Sequence, residues 1–186
     1  KSKGNVIYAD DLVAFFGVDA VRYYLLSEMP HAADGSLTYT TLIERYNSEL
    51  ANTLGNLVNR TVAMVNKYFD GVIQSPDCNE PLDGELKKIA SDTLPKVTSL
   101  MDTYHISDAL AEIFAIAKRS NKYIDETMPW ILAKDEDKKA RLGTVLYNLI
   151  ESIRFVAVLI SPFMPETSQK ILSQIGCNIN TFESLS

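Results

Sequence analysis

A chain of 186 residues, 46% hydrophobic and 23% charged, is long enough to enclose a core and has the makeup of a soluble globular protein. Its net charge of -6 excludes indiscriminate binding to nucleic acid, which runs on phosphate neutralisation by Lys and Arg, but leaves room for a local site that reads exposed bases. Cys78 and Cys177 have no spaced partner or nearby histidine, so no zinc site or disulfide framework is expected and a reducing, cytoplasmic setting fits.

No apolar run of bilayer-spanning length and no signal peptide are expected, hence no membrane contact. The opening strip Lys1-Ser2-Lys3-Gly4-Asn5-Val6 is basic and of loop composition. Two short helical patterns come next, over 11–16 and 19–28, with Gly17 between them as a C-cap and Asp19 placed to cap the second. Val21, Tyr24 and Leu25 give that second helix its apolar side. Residues 32–36 read as a loop and 37–39 as a brief extended lead into a long helix.

That helix, over 38–69, organises the chain. Leu50, Leu54, Leu57, Val58, Val62, Val65 and Phe69 recur at three- and four-residue spacing and gather into one apolar stripe. Asn52, Asn56, Asn59 and Arg60 fall on the opposite side. Plain solvation is one reading of that face. Yet Asn gives up about 0.7 kcal/mol of helix propensity and Gly about 1, so three Asn beside Gly55 are a poor choice for solubility alone. Asn56 and Arg60 together offer an acceptor, amide donors and a planar fork of donors, a set suited to the edge of a nucleobase.

Gly71 suits a helix terminus, and 74–84 reads as a connecting loop rich in Pro, Asp, Asn and Gly. A helix is predicted over 85–104, with Pro95 as a kink and Lys87, Lys88 and Lys96 on a solvated face. Ser107 is placed to cap the next, whose stripe is Leu110, Ile113, Phe114, Ala117 and Ile124, while His105 reads as structural or solvent-facing. Lys118, Arg119 and Lys122 either steer a phosphate backbone or keep this helix soluble. A short helix then starts at Thr127-Met128-Pro129-Trp130, with Pro in its first turn. Trp130, the only tryptophan, is either a ring anchoring the core or a platform for an unstacked base. After a charged connector over 136–140, residues 142–160 are strongly apolar and should be the buried partner of the central helix. Ser161-Pro162 stops this stretch and Pro165 opens a last helix to about residue 175. The sum is a mainly all-α, antiparallel helix bundle preceded by a small helical linker.

The opening strip resembles the end of the KMSKS loop of class I aminoacyl-tRNA synthetases, with Lys1 as its second lysine and Ser2 after it. Gly17-x-Asp19-x-x-Arg22-Tyr23-x-Leu25 is similar to the segment after that loop in the class. Leu50-Ala51-Asn52-x-Leu54-Gly55-Asn56-Leu57-x-Asn59-Arg60, Asn121-Lys122-Tyr123 and Pro129-Trp130 resemble the methionyl-tRNA synthetase family in particular. The resemblance runs from Lys1 to about Leu172.

It implies that 1–37 are the end of the loop and a stem-contact-type linker, and that 38–186 are an anticodon-binding bundle for methionine-accepting tRNA. On that pattern Trp130 stacks on an anticodon base, Asn56 and Arg60 contact its edge, and Asn52 and Pro129 are secondary contacts. The whole enzyme would attach methionine to its tRNA using ATP with magnesium, Lys1 stabilising charge on the ATP phosphates. The first lysine and Met of the loop, the HIGH-type motif and the nucleotide-binding fold are missing from these residues. The chain alone is therefore expected to need no cofactor, to lack aminoacylation activity and to depend on a catalytic domain in cis. Two rivals remain: the matching part of an isoleucyl, valyl, leucyl or cysteinyl enzyme, and a helical protein-interaction module with no RNA role.

Overall fold

The computed structural model describes residues 7–28, 35, 37–179 and 181–185. Among them the fold is all-α, as the periodicity predicts, and no strand occurs. Helix α1 spans Ala9–Phe16 and ends at Gly17, whose φ of 83° is one that side chains rarely adopt. Helix α2 spans Val18–Glu28. The Thr38 hydroxyl caps α3 (Tyr39–Arg45) by accepting from the Thr41 N–H. The central rod continues as a π-helical stretch, Tyr46–Gly55, and then as α4 (Asn56–Phe69). Asp70 and Gly71, both at positive φ, end it.

The bundle proper adds α5 (Pro81–Asp102), α6 (Ile106–Thr127), the short α7 (Pro129–Leu132), α8 (Lys139–Leu159) and α9 (Pro165–Gln174). The predicted stripes are the buried ones: Leu54, Leu57, Val58 and Val65 from the rod, and Leu110, Ile113, Phe114, Ala117 and Ile124 from α6, lie in one core. Helix α8 is that core's axis, with Val145, Leu149, Ile153 and Val156 fully enclosed. The segment Glu136–Leu159 is, against expectation, long and apolar enough to cross a bilayer by length and composition. Most of it is buried inside the protein, which accounts for its composition without a membrane. A second, smaller core of Leu12, Val21, Tyr24 and Leu42 joins α1, α2 and α3. Leu25, expected on the apolar side of α2, is exposed, and Ala20 and Tyr23 are buried in its place.

The starts of α5 and α6 differ from the sequence reading for identifiable reasons. Helix α5 begins at Pro81 rather than 85, because Glu80 and Asp83 form a reciprocal capping box with Pro81 at the first helical position. Helix α6 begins at Ile106, so His105 is the cap position and Ser107 lies inside the first turn. His105 is exposed, and its Nδ1 lies 2.9 Å from the Thr103 hydroxyl.

Asp83 does more than cap. Its carboxylate is fully buried and accepts from Arg141 Nη1 (2.6 Å) and Nη2 (2.9 Å), from the Tyr123 hydroxyl (2.5 Å) and from the Glu80 N–H (2.8 Å). Asn148 donates to the Tyr123 oxygen at 3.3 Å, so α5, α6 and α8 meet in one satisfied polar cluster. Burial pushes the Asp83 carboxyl up, but the hydrogen bonds from Arg141, Tyr123 and Glu80 outweigh it and hold the group below its usual range.

Helix α2 is clamped onto the bundle by three residues. Asp19 does not cap its own helix; it accepts from the Thr167 N–H at 2.6 Å and so caps the first turn of α9. Arg22 donates from Nε to the Phe163 carbonyl and from Nη2 to the Pro162 carbonyl, both at 2.8 Å, in the turn after α8. The buried Tyr23 hydroxyl donates to Glu49 on the rod. Burial and that acceptor raise the Tyr23 pKa. Replacing Arg22 with alanine is expected to cost about 1.5 kcal/mol, the low end for charged hydrogen bonds since one carbonyl is solvent-facing. Thermal unfolding of the variant against the parent checks it; an unchanged midpoint would show that the clamp carries no stability.

Candidate nucleic-acid interface

The polar face is built on a change of helical step. In the stretch Tyr46–Gly55 the backbone closes wide turns, and the Asn56 N–H donates to the Ala51 carbonyl five residues back. The Thr53 hydroxyl repeats the spacing by donating to the Ser48 carbonyl at 2.8 Å. Gly55 sits where a Cβ would stand 3.2 Å from the Leu50 carbonyl oxygen, so the close approach favours glycine. Asn56 and Arg60 lie in regular α-helix and, four apart, share a face as predicted.

The other two asparagines of the predicted face stand apart from this pair. Asn52 is exposed and lies within the π-helical stretch, four residues before Asn56. Asn59 lies in the same regular helix as Asn56 and Arg60 but about 100° round from Arg60, off their shared face. It lines a separate cleft of about 640 Å³ between the α1–α2 elbow, the rod and α9, together with Asp19, Thr167 and Lys170.

Rod and α6 run side by side in the same direction, since their contacts advance together. Lys118 lies 3.8 Å from Glu49, the Asn121 amide donates to the Thr53 carbonyl at 2.9 Å, and Arg60 pairs with Asp125 at 3.3 Å. Arg60 is thereby held at the C-terminal end of α6. Met128, at a φ of 47°, then turns the chain into α7 within three residues of Asp125. Pro129 is buried at the first position of α7, where its missing N–H costs nothing, and it presents no free face. Trp130 comes next and is 40% exposed, so the reading of its ring as a core anchor is set aside; Met128 and Ile131 beside it are exposed as well. Residue spacing singles out neither Asn121 nor Asp125 as a site residue, and only the Asn121-Lys122-Tyr123 motif hints at the first.

The basic surface of α6 is occupied. Arg119 is paired with Glu85 and Glu126, Lys122 with Glu126, and Lys118 with Glu49. On α5, Lys88 pairs with Asp92 and Lys96 with Glu112. These lysines and arginines form a balanced face rather than a phosphate track. Lys1 and Ser2 lie outside the described residues. Among the described residues no cluster of three or more His, Cys, Asp or Glu could hold a metal ion.

Comparison with known proteins gives two family matches. Residues 1–62 match the model for class I tRNA synthetases (M), and residues 76–184 match the anticodon binding domain of methionyl tRNA ligase. The methionine–tRNA ligase of Clostridium perfringens is 57% identical over 185 residues, and that of Caldanaerobacter subterraneus subsp. tengcongensis is 54% identical over 187 residues. Each alignment takes in 100% of this chain, which spans 29% of the length of either relative. Among solved structures, Mycobacterium tuberculosis methionyl-tRNA synthetase in complex with methionyl-adenylate superposes with a TM-score of 0.96 at 37% identity, covering 100% of this chain and 37% of that one.

Proposed function

Because the chain belongs to the methionyl-tRNA synthetase family as its anticodon-binding part, we propose that the face formed by α4 and the α6–α7 turn reads an unstacked anticodon base of methionine-accepting tRNA. The observation that supports this most is the exposure of the single indole, Trp130, just past the helix end at which Arg60 is held. The indole offers a stacking face, and Asn56 and Arg60 offer donors and an acceptor to the base edge. A wrong base leaves those groups desolvated and unpaired. The Arg60–Asp125 pair is solvent-exposed on both sides and is worth at most about 1 kcal/mol, so it yields to a base at small cost. Asn52 contributes from the π-helical stretch, and Pro129 acts by fixing where Trp130 stands.

For the whole enzyme we propose ATP- and magnesium-dependent attachment of methionine to its tRNA in the cytoplasm. A nucleotide-binding fold in cis performs the chemistry, and Lys1 and Ser2 belong to its KMSKS-type loop. On this reading 1–37 link that fold to the bundle of 38–186, and the 186 residues alone form no aminoacyl-tRNA.

Since the α6 cations are already paired, the binding of a CAU anticodon stem-loop should depend weakly on salt, with about two or fewer counterions released. A salt titration of stem-loop affinity tests this. A steep slope of about six charges would point to phosphate-driven binding instead, and absence of binding at any salt would favour a protein-interaction module.

A further inference from the structure

We infer that Asn121 is a positioning residue for base reading, acting through the backbone of the π-helical stretch; the inference rests on the function proposed above. Its side-chain amide donates to two carbonyls, Thr53 on the rod at 2.9 Å and Ala117 on its own helix at 3.1 Å. Two carbonyl acceptors fix which end of the amide carries the donors, so the side chain acts as an oriented clamp between α6 and the rod.

The place it grips is the one that matters. The wide stretch closes at the Asn56 N–H bond to Ala51, and Asn56 is also the first residue of α4. Thr53 sits inside the turn between Asn52 and Asn56. A π-helical turn is uncommon and competes with the ordinary four-residue step. Reverting to that step would rotate every residue N-terminal of Gly55 relative to Arg60, carrying Asn52 with it. Three features hold the wide form: the Thr53 hydroxyl on the Ser48 carbonyl, the close approach of Gly55 to the Leu50 carbonyl, and the Asn121 clamp from outside the rod. Of these, only the Asn121 clamp ties the wide turn to the helix that carries Asp125 and leads to Trp130.

The test is Asn121→Asp, an isostere that removes the donors facing the two carbonyls, with Asn121→Ala beside it and Gly55→Ala as a perturbation from within the rod. Each variant of the 186-residue chain is titrated with a CAU anticodon stem-loop and with loops altered at one anticodon base. Amide exchange over 50–57 and the unfolding midpoint are measured in parallel. The expected result is a loss of cognate affinity of about fivefold to tenfold, a narrower ratio between cognate and altered loops, and faster exchange confined to that stretch. The midpoint should stay close to that of the parent. Asn121 variants that keep affinity and ratio, while Arg60→Ala and Trp130→Ala lose both, would overturn the positioning role and leave the base reading standing. If none of these substitutions changes binding, base reading and positioning fall together. A loss that merely tracks a lowered midpoint would mark Asn121 as a packing residue and also overturn the inference.

Discussion

Replacing Asp83 with alanine is expected to destabilise the bundle by about 3–5 kcal/mol, the cost of leaving a buried charge without its partner. Both Nη groups of Arg141, the hydroxyl of Tyr123 and the N–H of Glu80 lose their acceptor at once, leaving the Arg141 guanidinium only its Nε pair with the half-exposed Glu80 carboxylate at 3.2 Å. Water cannot replace it readily, because the carboxylate is fully enclosed and Arg141 is only 9% exposed. Against a typical domain stability of about 5–15 kcal/mol this is a large fraction. The same group sets a pH dependence. Its folded-state pKa lies below the unfolded one, so its contribution is complete above the ordinary carboxylate value of about 4 and is lost as pH falls through the depressed folded value. Urea unfolding at about pH 7 and at lower pH, for parent and Asp83→Ala, reads both effects. The variant should lose stability at neutral pH and lose part of the parent's decline in acid. A change below about 1 kcal/mol at neutral pH would mean that the cluster is not the joint between α5, α6 and α8.

Replacing Trp130 with alanine should separate binding from folding. Stacking of one base on an aromatic ring is worth about 1–3 kcal/mol, so affinity for the stem-loop should fall by about 5- to 150-fold. The ring is 40% exposed and sits outside the main core, so the unfolding midpoint should move little. A core tryptophan would behave in the opposite way, costing about 3–5 kcal/mol of stability on truncation. Unchanged affinity in a folded Trp130→Ala chain would remove the stacking platform from the proposed site.

The periodic part of the fold was legible in the sequence. Leu54, Leu57, Val58 and Val65 in the rod and the α6 stripe are buried as their spacing demands, because burying one face is a local property of the helix. The cap of α5 carried a local signal that the loop-like composition of 74–84 obscured: Glu80-Pro81 with Asp83 at the third helical position is a start signature. Asp19 illustrates the opposite case. It has the form of a local cap but serves a helix 148 residues away, and no window of sequence contains that contact. The π-helical stretch was hidden because its residues read equally well at the α-helical step. Asn56 and Arg60 share the face their spacing predicts because both lie beyond that stretch in regular helix. The exposure of Trp130 is fixed by the Met128 turn, which apolar spacing does not encode.

The most direct test is a titration of the chain with a CAU anticodon stem-loop and with loops altered singly at each anticodon position, read by the fluorescence of its one tryptophan. Direct base readout predicts saturable quenching with the CAU loop and at least about tenfold weaker binding for one or more single-base variants. Equal affinity for every loop, or no change in the indole signal on binding, would contradict it.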